Sequence, residues 1–148
     1  MKIITNSATE TKKFAQRFAK TLKRSDILCF IGELGSGKTT FIQGLAKGLG
    51  VRNMPTSPTF VLLTQYRGKL PLYHFDLYRL NNTDEIRNLG YEEFFYSDGV
   101  TVVEWAEKLR ELTPHNRIEI KFKILDKNKR EINIIKLDNY RKKRYNYL

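Results

Sequence analysis

A lone cysteine, a single tryptophan and few acidic residues set the first limits on this 148-residue chain. It has no apolar run of about 18 residues, so no transmembrane helix is indicated. The opening "MKIITNSATE" shows no basic segment leading into an apolar stretch, so no secretory signal is expected. Cys29 has no partner for an intramolecular disulfide. Within the apolar run "ILCFIG" it reads as core packing, and one such thiol suits a reducing cytoplasm. Acidic side chains number 16 against 27 Lys and Arg, a formal net charge of +11, with the excess heaviest after Arg117. Such charge attracts RNA, phosphate groups or an acidic protein surface, and a solvated basic tail reads just as well. Repeats and long linkers are absent too. Length and a 41% hydrophobic content therefore point to one globular domain able to bury a core.

What is present is more specific. "FIGELGSGKTTFIQGL" contains Gly32-x-x-x-x-Gly37-Lys38-Thr39, the spacing of a phosphate-binding loop. Gly32, Gly35 and Gly37 let the backbone turn tightly and approach oxygens without a clashing Cβ. The N-terminus of the following helix directs positive potential at a polyphosphate. Gly35, Ser36, Gly37, Lys38, Thr39 and Thr40 are expected to hold the nucleotide. Lys38 would reach the β- and γ-phosphates, and Thr39 would place its hydroxyl on Mg²⁺. The context agrees: "DILCFIG" reads as a buried strand, and Phe41, Ile42, Leu45, Ala46 and Leu49 fall at helical spacing, with Gly50 as the stop.

The rest of the chain supplies further elements. Phe14, Phe18 and Leu22 mark one face of a helix over 9–23. A strand is expected from about Thr59 to Tyr66, then a turn at "RGK", a strand in "LPLYHFDLYRL" and one or two short helices in "NNTDEIRNLGYEEFF". "GVTVVEWAEKL" reads as a strand delivering Glu104. "RIEIKFKIL" and "EINIIKL" form an antiparallel hairpin with one exposed face. The expectation is an α/β, P-loop NTPase-like three-layer fold. Its central sheet would be mostly parallel, with antiparallel additions and a C-terminal hairpin. A single ATPase domain would span 1–137, with a basic tail over 138–148.

Hydrolysis needs metal ligation and a group that orients the nucleophile. Open α/β sheets bind ligands at the carboxyl ends of their strands, where Asp76 and Glu104 fall. The plain alternative for each is a helix-capping or surface carboxylate. His74, two residues before Asp76 on the same strand face, reads as a packed histidine rather than a catalytic one. "PTSPTF" (55–60) is stiffened by two prolines, and its Thr56, Ser57 and Thr59 hydroxyls suit a γ-phosphate-sensing loop. A plain connection suits them as well.

"GELGSGKTT", "SPTF", "YHFDLYRL" and "VEWAEKL", in this order and spacing, resemble the TsaE (YjeE) family over Ile27 to Leu109. That resemblance implies a small cytoplasmic P-loop ATPase required for making N6-threonylcarbamoyladenosine in tRNA. Its partners would be a TsaD-type threonylcarbamoyltransferase subunit and the TsaB-type structural relative of that subunit, with contact to tRNA indirect. The resemblance assigns Lys38, Asp76 and Glu104 to catalysis, with ATP and Mg²⁺ as cofactors and Thr39 and Glu104 on the metal. It places Ser57 and Thr59 near the γ-phosphate, Trp105 beside the nucleotide, and Thr11 and Arg130 at the base or sugar. Lys129 departs from the glycine that the family carries before that arginine. Two other readings stay open at this point. One is a small-molecule or nucleotide kinase, for which no basic lid or acceptor site is evident. The other is a nucleotide-dependent RNA-binding module that uses the tyrosine-rich basic tail.

Overall fold

The computed structural model describes residues 1–53 and 62–138. Within them the strands are β1 Lys2–Thr5, β2 Ile27–Ile31, β3 Leu63–Tyr66, β4 Leu72–Asp76, β5 Val100–Glu104, β6 Arg117–Ile124 and β7 Arg130–Leu137. The α-helices are α1 Ala8–Phe18, α2 Lys38–Gly48, α3 Asp84–Asn88 and α4 Tyr91–Phe95. Short 3-10 segments follow at Ala19–Thr21 and Ala106–Leu112. The expected "SPTF" loop, with Ser57 and Thr59, lies outside the described residues, as does the tail beyond Asp138.

All seven strands join one sheet in the order β1-β7-β6-β2-β5-β4-β3. The four central strands run parallel, as β6-β2, β2-β5 and β5-β4 pairs, while β1, β7 and β3 are antiparallel additions. This is the expected α/β architecture. The C-terminal hairpin is more deeply integrated than its alternating pattern implies, because β6 pairs directly with β2. β1 has no counterpart in the sequence reading. Four residues are too few to display a period, and the strand exists because β7 offers it an edge, from Lys2↔Asn133 to Thr5↔Arg130.

Strand alternation sorts the side chains onto two faces. Leu28, Phe30, Leu72, Val100, Val102, Ile118, Ile120 and Phe122 are buried in one cluster with Ala15, Phe41, Ile42 and Leu45 of α1 and α2. Cys29, Phe75 and Val103 point the other way, into a second cluster with Ile86, Phe95 and Leu109. Phe30 and Phe41 are wholly buried, and removing each ring from water stabilises the fold by about 1.5–3 kcal/mol. Their rings meet edge-on at 5.7 Å, and Phe41 meets Phe122 likewise at 5.7 Å.

Two features fix α2, the helix that follows the phosphate loop. A Cβ on Gly44 would lie 2.4 Å from the Lys12 carbonyl and 2.7 Å from Ala15 Cβ, so the α1 and α2 backbones touch. At its C-terminus Val51 N–H donates to Ala46 O (2.9 Å) and Gly50 N–H to Lys47 O (3.1 Å), with Gly50 at φ +78°. This satisfies the last carbonyls and stops the helix where the glycine was expected to stop it. α1 starts at Ser7, whose hydroxyl accepts from Glu10 N–H at 3.1 Å. Its α-helical part ends at Phe18, short of the expected 23, where the chain tightens into the Ala19–Thr21 turn. No helix among the described residues is long and apolar enough to cross a membrane.

Candidate functional site

The loop between β2 and α2 is held by its glycines. Gly35 (φ +77°) and Gly37 (φ +104°) occupy backbone conformations that side-chain-bearing residues rarely adopt. Gly32 is needed for space: a Cβ there would lie 2.7 Å from Ser36 Oγ and 3.0 Å from Phe122 Cβ. Gly37 is the N-cap of α2 and brings no capping side chain, so the positive end of the helix faces outward over Lys38, Thr39 and Thr40. Ser36 Oγ is buried in the loop without a hydrogen-bond partner among the described residues.

The carboxylates reach this loop through sheet register. β4 and β5 run parallel, with Asp76 opposite Glu104 and His74 opposite Val102. Period-two alternation puts His74, Asp76 and Glu104 in the rows of Leu72, Val100 and Val102, on the face that α2 covers. Glu104 is 3% exposed. Thr39 Oγ1 donates to Glu104 Oε1 at 3.0 Å, and His74 Nε2 lies 2.7 Å from Glu104 Oε2. One residue from the helix and one from the neighbouring strand thus grip the same carboxylate.

Lys38 is buried beside them. Its ammonium donates to the Gly32 carbonyl at 2.5 Å and sits 3.5 Å from the centre of the Trp105 ring. Burial holds its pKa below the usual lysine value, against the opposing pull of Glu104, Glu107 and Asp76. Trp105 follows β5 in a left-handed conformation (φ 58°), which turns the indole back over the loop. The indole also meets the Tyr78 ring, 5.1 Å between centroids. Lys108 donates to the carbonyls of Tyr78 and Leu80 and so ties the segment after β4 to the segment after β5. Asp76 Oδ1 accepts from Tyr78 N–H at 3.1 Å. Burial raises the pKa of Asp76 above the normal carboxylate value, and the charge of Glu104 adds to that rise.

The other expected site residues fall in different places. Arg130 reaches the loop, its guanidinium donating to Gly35 O at 3.3 Å and to Asp126 O at 2.8 Å. Thr11 is 2% exposed, with its hydroxyl 2.7 Å from Thr5 Oγ1 and 3.2 Å from Ser7 O. It is therefore not brought to the Lys38–Glu104 cluster. Thr5 lies opposite Arg130 in the β1–β7 register, so Thr11 is linked through Thr5 to the strand that carries Arg130. Sequence reasoning missed the bond between His74 and Glu104. Its one available signal was the "HFD" alternation, which puts His74 and Asp76 on one face; the adjacency to β5 was not visible in it.

Among the described residues no group of three or more His, Cys, Asp and Glu could hold a metal ion unaided. The paired Thr39 hydroxyl and Glu104 carboxylate offer hard oxygen donors only. Such a partial set fits Mg²⁺, which takes one or two protein oxygens and completes its shell with phosphate and water.

Comparison with known proteins decides which phosphate-loop family this is. The family profile described as "Threonylcarbamoyl adenosine biosynthesis protein TsaE" matches residues 5–132. The chain belongs to the TsaE family. It is 43% identical over 131 residues to the tRNA threonylcarbamoyladenosine biosynthesis protein TsaE of Bacillus subtilis (strain 168), an alignment covering 88% of this chain and 82% of the relative. The TsaE of Treponema pallidum (strain Nichols) is 37% identical over 134 residues, covering 90% of this chain and 99% of its own. The crystal structure of Bacillus subtilis YdiB superposes with a TM-score of 0.78 at 37% identity, over 97% of this chain and 89% of that one. The match extends the resemblance beyond Ile27–Leu109 to α1 and most of the C-terminal hairpin.

Proposed function

We propose that this chain is the ATP-binding and slowly hydrolysing component of the machinery that installs threonylcarbamoyladenosine in tRNA. It would act in the cytoplasm with a TsaD-type transferase subunit and its TsaB-type relative to sustain repeated turnover. Residues 1–137 would form the ATPase domain, with 138–148 as a basic tail. The observation that carries the reading is the Thr39–Glu104 contact at the N-terminus of α2, inside a chain of this family. It puts an oxygen-donor pair for a metal beside a phosphate loop, which a purely nucleic-acid-binding module does not need.

Each residue has a task that follows from its surroundings. The outward N-terminus of α2 and the loop backbone receive the triphosphate. Lys38 has further N–H bonds besides the one given to Gly32, and these neutralise charge on the phosphates. Mg²⁺, held by Thr39 and Glu104, would supply charge neutralisation across the phosphate oxygens. Asp76, its proton affinity raised by burial, is suited to accept a proton from an attacking water. Trp105 walls the lysine from solvent, and Arg130 holds the loop from the far side.

The test is multiple-turnover formation of threonylcarbamoyladenosine on unmodified tRNA, with both partner subunits and preformed threonylcarbamoyl-adenylate. Intact chain should sustain turnover, and its Lys38→Ala form or omission of the chain should not. Equal product in all three reactions would refute the role. ADP release that requires a small-molecule acceptor would point to the kinase reading instead.

A further inference from the structure

We propose that His74 is a positioning residue for the metal site: it holds Glu104 in the orientation that presents Oε1 to Thr39 and to the cation. The inference rests on the metal role proposed for Glu104.

His74 is 0% exposed and lies in the middle of β4, two register positions before Asp76 and Glu104 come level. Its Nε2 is 2.7 Å from Glu104 Oε2. Its Nδ1 is also buried and has no hydrogen-bond partner among the described residues. Those two facts together select a tautomer. The Nδ1–H tautomer would bury an N–H with no acceptor among the described residues. An imidazole with its proton on Nε2 donates that proton to Glu104 and leaves only a lone pair at Nδ1. The ring is therefore a one-directional donor aimed at the carboxylate.

The two oxygens of Glu104 have different duties. Oε1 faces Thr39 at the start of α2, where the phosphates bind, while Oε2 faces into the sheet toward His74. A carboxylate held at one oxygen only can rotate about its last bonds. A donor at Oε2 keeps the plane of the group fixed while Oε1 turns from the Thr39 hydroxyl to a cation. This is the known logic of outer partners that orient a metal ligand, whose loss costs about 10–100-fold in metal affinity. A histidine that merely filled space would need no partner on Nε2, and an apolar residue would fit the surrounding core better.

Substitution separates the two roles. His74→Leu keeps bulk and removes the donor. His74→Gln restores it, because the same number of bonds separates Cβ from the terminal nitrogen in both side chains. Mn²⁺ binding to the ADP-loaded protein, followed by electron paramagnetic resonance, is the readout. ADP binding in EDTA serves as the control. His74→Leu should weaken Mn²⁺ binding about 10–100-fold with metal-free ADP affinity unchanged, and His74→Gln should recover most of the loss. Mn²⁺ affinity unaltered in His74→Leu, or metal-free ADP binding lost in parallel, overturns the proposal. If the wild-type protein with ADP binds no Mn²⁺, the metal reading of Glu104 falls first. The tautomer is open to a check that needs no variant. Long-range ¹H–¹⁵N spectra of the wild-type protein should show the proton on Nε2, and a proton on Nδ1 refutes the assignment even if His74→Leu fails to fold.

Discussion

Replacing Glu104 by Gln tests the site most sharply, because its structural and chemical consequences should part. Glu104 accepts from Thr39 at 3.0 Å and stands 2.7 Å from His74, at 3% exposure. A glutamine of the same length can satisfy both partners, its carbonyl accepting from His74 and its amide donating to the Thr39 hydroxyl. The loss is that of charge assistance, about 1 kcal/mol per bond. Relief from burying a carboxylate offsets part of this. The net change should stay within about 2 kcal/mol, a melting shift of no more than roughly 4–8 °C in a chain of this size. Glu104→Ala instead removes the acceptor of the fully buried His74, takes one acceptor from the Thr39 hydroxyl and opens a cavity, a loss of about 2–5 kcal/mol. Hydrolysis should respond differently, because both variants remove the anionic group proposed to hold the metal. Mg²⁺-dependent ATP turnover should fall by about 100-fold or more in each. ADP binding in EDTA should hold or improve in Glu104→Gln, since a carboxylate beside a polyphosphate repels it. Calorimetric melting, single-turnover hydrolysis and fluorescent-ADP titration measure the three quantities. A Glu104→Gln protein that turns over ATP at the wild-type rate would refute the metal role. One that melts as early as Glu104→Ala would refute the hydrogen-bond reasoning.

Three further outcomes are expected. Asp76 has a folded-state pKa above its ordinary 3.8, so the folded chain holds that proton more tightly than the unfolded one and ionisation costs stability. Asp76→Asn should therefore melt higher than wild type at pH 7, with the gap closing as pH falls through the raised pKa toward 3.8 and below; a gap that widens on acidification contradicts the sign. Gly37→Ala has room, its new Cβ lying 4.0 Å from Phe122, so its cost is the φ of +104° alone. That is about 1–2 kcal/mol, and thermal melting should drop by a few degrees, whereas an unchanged melt would refute the backbone argument. Burial pushes the Cys29 thiol up to about 12, so a thiol reagent at pH 8 should leave native protein unlabelled and label it once after denaturation. Rapid native labelling would place Cys29 outside the core.

Much of this protein is legible in its sequence because the information is local. A glycine pattern dictates its own loop: Gly35 and Gly37 sit at positive φ, and Gly50 stops α2, wherever the surrounding chain goes. Strand alternation is local too, and it suffices to put His74 with Asp76 and Cys29 opposite Phe30. Family motifs identify which phosphate loop this is. What local patterns do not carry is adjacency. β1 is a strand because β7 has a free edge, and β6 enters the parallel centre because β2 has a free side. Glu104 becomes a metal-site candidate gripped from two sides only when β4 and β5 pair in a register that levels it with Asp76, and α2 sets Thr39 3.0 Å away. The same pairing converts His74 from a packed ring into a donor aimed at one oxygen. Residue types and their spacing select the chemistry. Distances between residues far apart in sequence, here 30 positions for His74 and Glu104 and 65 for Thr39 and Glu104, arise only from the packing of the sheet beneath α2.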